Sequence, residues 1–249
     1  MEERVRRIRI ATYNVHRCVG LDGRRDPGRI GRLIRDMDVD LIGLQEVDSR
    51  PERVGDSSQI SLIASLTGLH ALAGPTILTA RGQYGNVLLT RWPARDKALI
   101  DLSCRGREPR GAIDALFEVD GMALRVVATH LGLAVSERLH QVRCLEGILR
   151  EEREDILVML GDINEWLPGS RPLRIMHRRM GRAPACRTFP SHRPVLALDR
   201  IWVRPCEALA SLCAVRTPLA RIASDHLPVL AEIDVFAAEG RCGRRMYKR

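Results

Sequence analysis

Ala112-Ile113-Asp114-Ala115-Leu116-Phe117-Glu118-Val119-Asp120-Gly121-Met122-Ala123-Leu124-Arg125-Val126-Val127-Ala128-Thr129 is a pair of apolar, β-prone runs hinged on Asp-Gly. That dipeptide between two such runs predicts a β-hairpin, because both central residues of the tight turn need positive φ. The second strand ends at His130. Beyond it Ser136 is placed to cap a helix over 136–152, with Leu139, Val142, Leu145, Ile148 and Leu149 turned inward. Residues 156–160 then read as a buried strand that stops at Gly161-Asp162-Ile163-Asn164.

The same reading extends in both directions. Residues 8–13 predict a strand ending at Asn14-Val15-His16. Asp26 caps a helix with Pro27 in its first turn and Ile30, Leu33, Ile34 and Met37 on one face. A short apolar strand over 39–44 delivers Gln45-Glu46, and a helix follows over 59–66. Further strands are predicted over 86–90, 198–203 and 229–235, with a short helix over 173–180. Strands, hairpins and helices mix without a regular βαβ rhythm. That predicts an α/β protein of two mostly antiparallel β-sheets packed face to face with helices outside. No repeat or linker divides the 249 residues, so one domain over 1–238 is expected, with a basic tail over 239–249.

The chain is 45% hydrophobic and 29% charged, enough to build a sizeable core. The net charge of +9 favours anionic partners: a phosphate-ester substrate, nucleic acid or an anionic membrane surface. Arg greatly outnumbers Lys, so a generally basic composition accounts for the charge equally well. The seven Cys include no CxxC pair, which argues against structural zinc and for reduced thiols. Residues 1–9 are charged and no run is long enough to span a membrane, so a cytoplasmic location is expected. P-loop, GxSxG and HExxH patterns are absent. No obligate protein partner is evident.

Polar residues with chemical potential collect at strand ends. Glu46 suits a hard divalent cation such as Mg²⁺, or a solvated strand end. Asn14 suits a ligand, a group orienting the carboxylate, or a turn. His16 lies where it meets substrate phosphate or packs. Asp162 and Asn164 face one side of an extended chain and suit orienting a water and binding a phosphoryl oxygen, or an Asx turn. A protonated His130 would donate to a phosphoryl oxygen. The Arg110 guanidinium matches phosphate geometry. Asp199 is a charge inside an apolar run and requires a partner, for which His226 in Ser224-Asp225-His226-Leu227-Pro228-Val229 is the natural choice.

In chain order, Thr12-Tyr13-Asn14-Val15-His16, Leu44-Gln45-Glu46-Val47, Tyr84-Gly85-Asn86, Thr129-His130-Leu131, Gly161-Asp162-Ile163-Asn164, Leu198-Asp199-Arg200-Ile201 and the segment from Ser224 to Val229 resemble the endonuclease/exonuclease/phosphatase superfamily. The resemblance implies a four-layer α/β sandwich and Mg²⁺- or Mn²⁺-dependent hydrolysis of phosphate esters. It implies metal ligation by Glu46 with Asn14 and Asp225, and catalysis by Asp162, Asn164, His130 and an Asp199–His226 dyad. It leaves Arg110, His16 and Asn86 to contact substrate phosphate. The form of these motifs is similar to small bacterial members and to the catalytic domain of GPI-lipid remodelling proteins. A phosphodiesterase is the expectation. The alternatives are a DNA or RNA endonuclease or exonuclease, a phospholipid headgroup phosphodiesterase, and a catalytically silent binding protein. Only 4% of residues are aromatic, which makes base-stacking platforms sparse.

Overall fold

The computed structural model describes residues 5–50, 58–151 and 154–236; the tail expected over 239–249 lies outside them. The described chain runs β1 (Val5–Asn14), α1 (Pro27–Met37), β2 (Leu41–Asp48), α2 (Gln59–Thr67), β3 (His70–Thr79), β4 (Gly82–Thr90), β5 (Asp96–Asp101), β6 (Gly111–Val119) and β7 (Met122–His130). It continues through α3 (Val135–Ile148), β8 (Ile156–Asp162), α4 (Arg171–Met180), β9 (Asp199–Arg204), β10 (Leu209–Ala214), α5 (Ala220–Ala223) and β11 (Val229–Phe236). Six strands form one sheet in the order β10-β11-β1-β2-β4-β3, and five form the other in the order β5-β6-β7-β8-β9. The hairpin β6–β7 turns on Asp120 and Gly121, both at positive φ.

Three apolar layers separate four layers of secondary structure. Ile10, Leu41, Phe117, Val126, Val158 and Ile201 lie in the core between the sheets. Ala11, Ile42 and Leu44 turn the other way, onto Ile30, Leu33 and Ile34 of α1 and Ile63 of α2. Val127, Leu157 and Met159 likewise face Leu145 of α3 and Met176 of α4. Central strands are thus buried on both faces, which is why they read as continuous apolar runs rather than alternating ones.

Each sheet contains one parallel pair, β1 with β2 and β7 with β8, and every other pairing is antiparallel. Parallel neighbours end at the same edge of a sheet. Asn14 therefore lies opposite Gln45, and His130 opposite Asp162. The polar strand ends predicted from sequence arrive together for this reason.

Strands β3, β5 and β10 are absent from the sequence reading, and all three are sheet edges. These three bury little and carry weak patterns, unlike the buried edge β9; β3 even includes Pro75, which an edge tolerates. Helix α3 begins one residue before Ser136 and ends at Ile148, short of the predicted 152. Glu137 reaches back to the Ala134 amide (3.5 Å) and takes over the capping expected of Ser136. Among the described residues no helix is long and apolar enough to cross a membrane.

Candidate active site

Asp162 is the centre of the cluster. It ends β8 and is 1% exposed. Its Oδ1 accepts from the Asn164 amide (2.9 Å), and its Oδ2 accepts from Asn14 Nδ2 (3.0 Å). The same Oδ2 lies 3.6 Å from His130 Nε2 and 3.7 Å from His226 Nε2. Asn14 Nδ2 also donates to Glu46 Oε1 at 3.0 Å, so one amide holds carboxylates from both sheets. Asn14 Oδ1 accepts from the His16 amide at 3.0 Å. In this arrangement Asn14 orients the carboxylates, and the oxygen expected to ligate a metal is engaged by His16.

Backbone irregularities set these positions. A bulge in β2 breaks the register with β4 between Leu44 and Val47, and Glu46 sits in it at φ +58°. Gly161 has φ +145°, and a Cβ there would lie 1.9 Å from the Thr129 carbonyl oxygen of β7. Gly161→Ala is therefore expected to cost roughly 3 kcal/mol and to displace Asp162. Urea denaturation checks the first effect; a midpoint within error of the parent would refute it.

The structure brings Asp199 and His226 together. His226 Nδ1 lies 2.8 Å from Asp199 Oδ2, which also accepts from Thr188 Oγ1 at 2.5 Å. The Phe189 ring packs on the imidazole with centroids 5.0 Å apart. Ser224 Oγ donates to the Asn14 carbonyl (2.8 Å) and so ties the loop before β11 to the end of β1. Burial works against a charged His226, but Asp199, Asp162 and Asp225 outweigh it and raise its pKa to about 10. These carboxylates favour the imidazolium form of His226.

His130 behaves in the opposite way. Burial is the main cause, and Arg110 and His226 add to it against the pull of Asp162; together they push its pKa down to about 3. Burial thus favours a neutral His130 over the protonated donor expected from sequence. Its Nε2 lies 3.1 Å from Asn164 Nδ2 and accepts that hydrogen bond. Asn164 Nδ2 also donates to the Leu131 carbonyl at 2.9 Å.

The three residues expected at substrate phosphate have different surroundings. Arg110 is near enough to His130 to affect its titration, but its Nη1 is engaged by Glu108 Oε1 at 2.7 Å. Asn86 Nδ2 donates to the Gly111 carbonyl (3.0 Å), a tie between the sheets. His16 Nδ1 lies 3.2 Å from the Val19 carbonyl and 3.8 Å from Asp225 Oδ1. Thr188, Phe189 and Ser224 were not singled out in the sequence. Thr188 and Phe189 lie in an irregular loop with no periodic signal, and Ser224 was quoted only as the start of its motif.

Charge balance bears on a metal. Glu46, Asp162, Asp199 and Asp225 converge in a chain with 40 Lys and Arg residues, yet no Lys or Arg among the described residues pairs with any of them. Asp162 and Asp199 are buried, Glu46 and Asp225 only partly so, and buried carboxylates require a counter-charge. All-oxygen donors suit a hard divalent cation. Asp162, Asp199 and His226 also offer three donor atoms within 4.8 Å of one another. In that arrangement His226 would use Nε2, which faces Asp162, while Nδ1 keeps its bond to Asp199.

A two-sheet sandwich whose parallel strand ends gather acids around an Asp–His dyad defines a metal-dependent phosphoester hydrolase. The chain belongs to the Endonuclease/Exonuclease/phosphatase family, whose sequence profile matches residues 11–226. It is 31% identical over 246 residues to the uncharacterized protein YbhP of Escherichia coli (strain K12), covering 91% of this chain and 96% of that protein. The fold is similar to that of a mannosyl-6-phosphatase from Bacteroides thetaiotaomicron (TM-score 0.73, 15% identity, 92% of this chain and 100% of that one). It is also similar to a humanized D. rerio TDP2 (TM-score 0.68, 18% identity, 92% and 99%).

Proposed function

We propose that the chain is a Mg²⁺-dependent phosphodiesterase that cleaves its substrate by in-line attack of water, with Mn²⁺ as a substitute ion. The observation that carries this reading is the placement of His226, held by Asp199, 3.7 Å from Asp162. Glu46 and Asp225 would hold the metal, with Asn14 orienting Glu46. When bound, the metal would supply Lewis-acid stabilisation of charge developing on the phosphoryl oxygens.

The chain's own groups divide the remaining work. Asp162 takes the proton of the attacking water as its oxygen bonds to phosphorus and the ester oxygen leaves. His226 Nε2–H donates to a non-bridging oxygen and is kept charged by Asp199. Asn164 is held by His130 and Leu131 in the position to orient the phosphate. A diester carries one negative charge, whereas a monoester carries nearly two at neutral pH. The acidic floor therefore repels a diester less, which supports diester over monoester hydrolysis.

The test is hydrolysis of bis-(p-nitrophenyl) phosphate beside p-nitrophenyl phosphate, with Mg²⁺, Mn²⁺ or EDTA. Turnover of the diester with metal, lost in EDTA and in Glu46→Gln, is expected. Undiminished activity in EDTA would sink the proposal. A nucleic-acid diester is a second reading, favoured by Tyr84 with the guanidinium carbons of Arg17 and Arg50 at 5.7 and 5.4 Å from its ring centroid. Plasmid nicking with steeply salt-dependent DNA binding would support it.

A further inference from the structure

The two loops beside Asp162 and His130 carry exposed apolar side chains that the chemistry does not use. Leu133 (75% exposed) lies between β7 and α3, Val135 (63%) opens α3, and Trp166 (50%) and Leu167 (60%) lie between β8 and α4. They are four of the nine large apolar residues exposed among the described residues, so the exposure is concentrated rather than scattered.

A buried ion pair holds the two loops together. Arg138 Nη2 lies 3.2 Å from Glu165 Oε2, with both side chains under 5% exposed. Arg138 also donates to the Leu133 carbonyl, and Glu165 Oε1 accepts from the Leu167 amide at 3.1 Å. The Leu131 carbonyl is bonded to Asn164 of the catalytic cluster. The apolar tips are therefore fixed on a rigid base at the rim of the site.

Where the second loop ends, the surface becomes basic. Arg171, Arg174, Arg178, Arg182 and Arg143 line a cleft of about 690 Å³ along α3 and α4, with Glu146 among them. None of these five arginines makes an ion pair among the described residues, although acids are available elsewhere on the surface. Arg171 and Arg174 are exposed in the first turn of α4, a few residues from Trp166.

We propose that this face docks the chain on an anionic phospholipid bilayer, with the mouth of the site turned toward the headgroups. A bilayer accounts for both halves of the surface. Trp is favoured at the membrane–water interface, and short aliphatic tips enter the acyl boundary. Unpaired arginines near the surface are attracted to anionic headgroups. A nucleic acid would engage the arginines and stack on Trp166 but would leave Leu133, Val135 and Leu167 in water. Cleavage of headgroup diesters at this surface rests on the phosphodiesterase reading; docking does not.

The experiment is co-sedimentation with vesicles of phosphatidylglycerol and phosphatidylcholine, with phosphatidylcholine alone, and competition by single-stranded DNA. The parent chain is expected to bind anionic vesicles about tenfold or more tightly than neutral ones. A triple variant, Leu133→Ser/Trp166→Ala/Leu167→Ser, and a charge variant, Arg171→Glu/Arg174→Glu, are each expected to lose about tenfold or more of that binding. Hydrolysis of soluble bis-(p-nitrophenyl) phosphate should stay unchanged in both variants, which shows that they fold and separates docking from catalysis. Absence of vesicle binding, full binding by the triple variant, or a stronger preference for single-stranded DNA would each overturn the proposal.

Discussion

Asp162→Asn is expected to lower kcat for bis-(p-nitrophenyl) phosphate by about a thousandfold or more at saturating Mg²⁺. The substitution keeps the volume but removes the base. It also places an NH₂ where an oxygen now accepts from either the Asn164 amide or Asn14 Nδ2. A donor would then face a donor in a site that is 1% exposed. His226 would lose one of the carboxylates that hold it charged. Steady-state kinetics on the metal-loaded protein read the effect. A loss below tenfold would move the role of base to another group.

Asp199→Ala is expected to reduce both activity and stability. Asp199 is buried, and its Oδ2 accepts from Thr188 and lies against His226 Nδ1. Removing one partner of a buried pair leaves the other charge uncompensated, at a cost of about 3–5 kcal/mol. In a chain of this length that corresponds to a fall in Tm on the order of 10 °C. The pH dependence follows from the raised pKa of His226. An elevated folded-state pKa contributes stability that is fully present below about 6.5, the ordinary His value. That contribution is lost as pH rises through the folded value of about 10. The stability gap between parent and Asp199→Ala, measured in EDTA by urea denaturation, should thus be widest near pH 6 and narrow toward pH 10. A gap that does not change with pH would show that the pair is not charged. His226→Ala added to Asp199→Ala should cost little more in rate, because the two act as a unit.

The hairpin on Asp120-Gly121 and the doubly buried strands β1, β2, β7 and β8 were legible because their signals are local. A two-residue turn needs particular residues, and a strand between two layers needs an unbroken apolar run. The acids and amides at their ends were legible for the same reason, since a polar residue after such a run marks where the sheet stops. The edges β3, β5 and β10 were not, because they are largely exposed and their own patterns are weak, whereas the edge β9 is buried and was legible.

Charge and roles within the site depended on distances that no local pattern carries. His130 and His226 look alike as strand-end or loop histidines, yet their surroundings push their pKa values in opposite directions. The difference is that His226 has Asp199 against its Nδ1, whereas His130 is buried against an amide with Arg110 nearby. Asn14 reads as a ligand, a group orienting the carboxylate or a turn in one dimension; in three its Nδ2 donates to both Glu46 and Asp162. Thr188 enters the dyad from a loop 11 residues before Asp199. By itself the sequence determined the two-sheet architecture, the family and the set of acids and histidines that meet, because strand ends and apolar runs are properties of short segments. Only the tertiary structure decided which histidine its surroundings favour in the charged form, which amide donates to both acids and where apolar loops border the site. Those outcomes depend on burial and on charges brought close from distant parts of the chain.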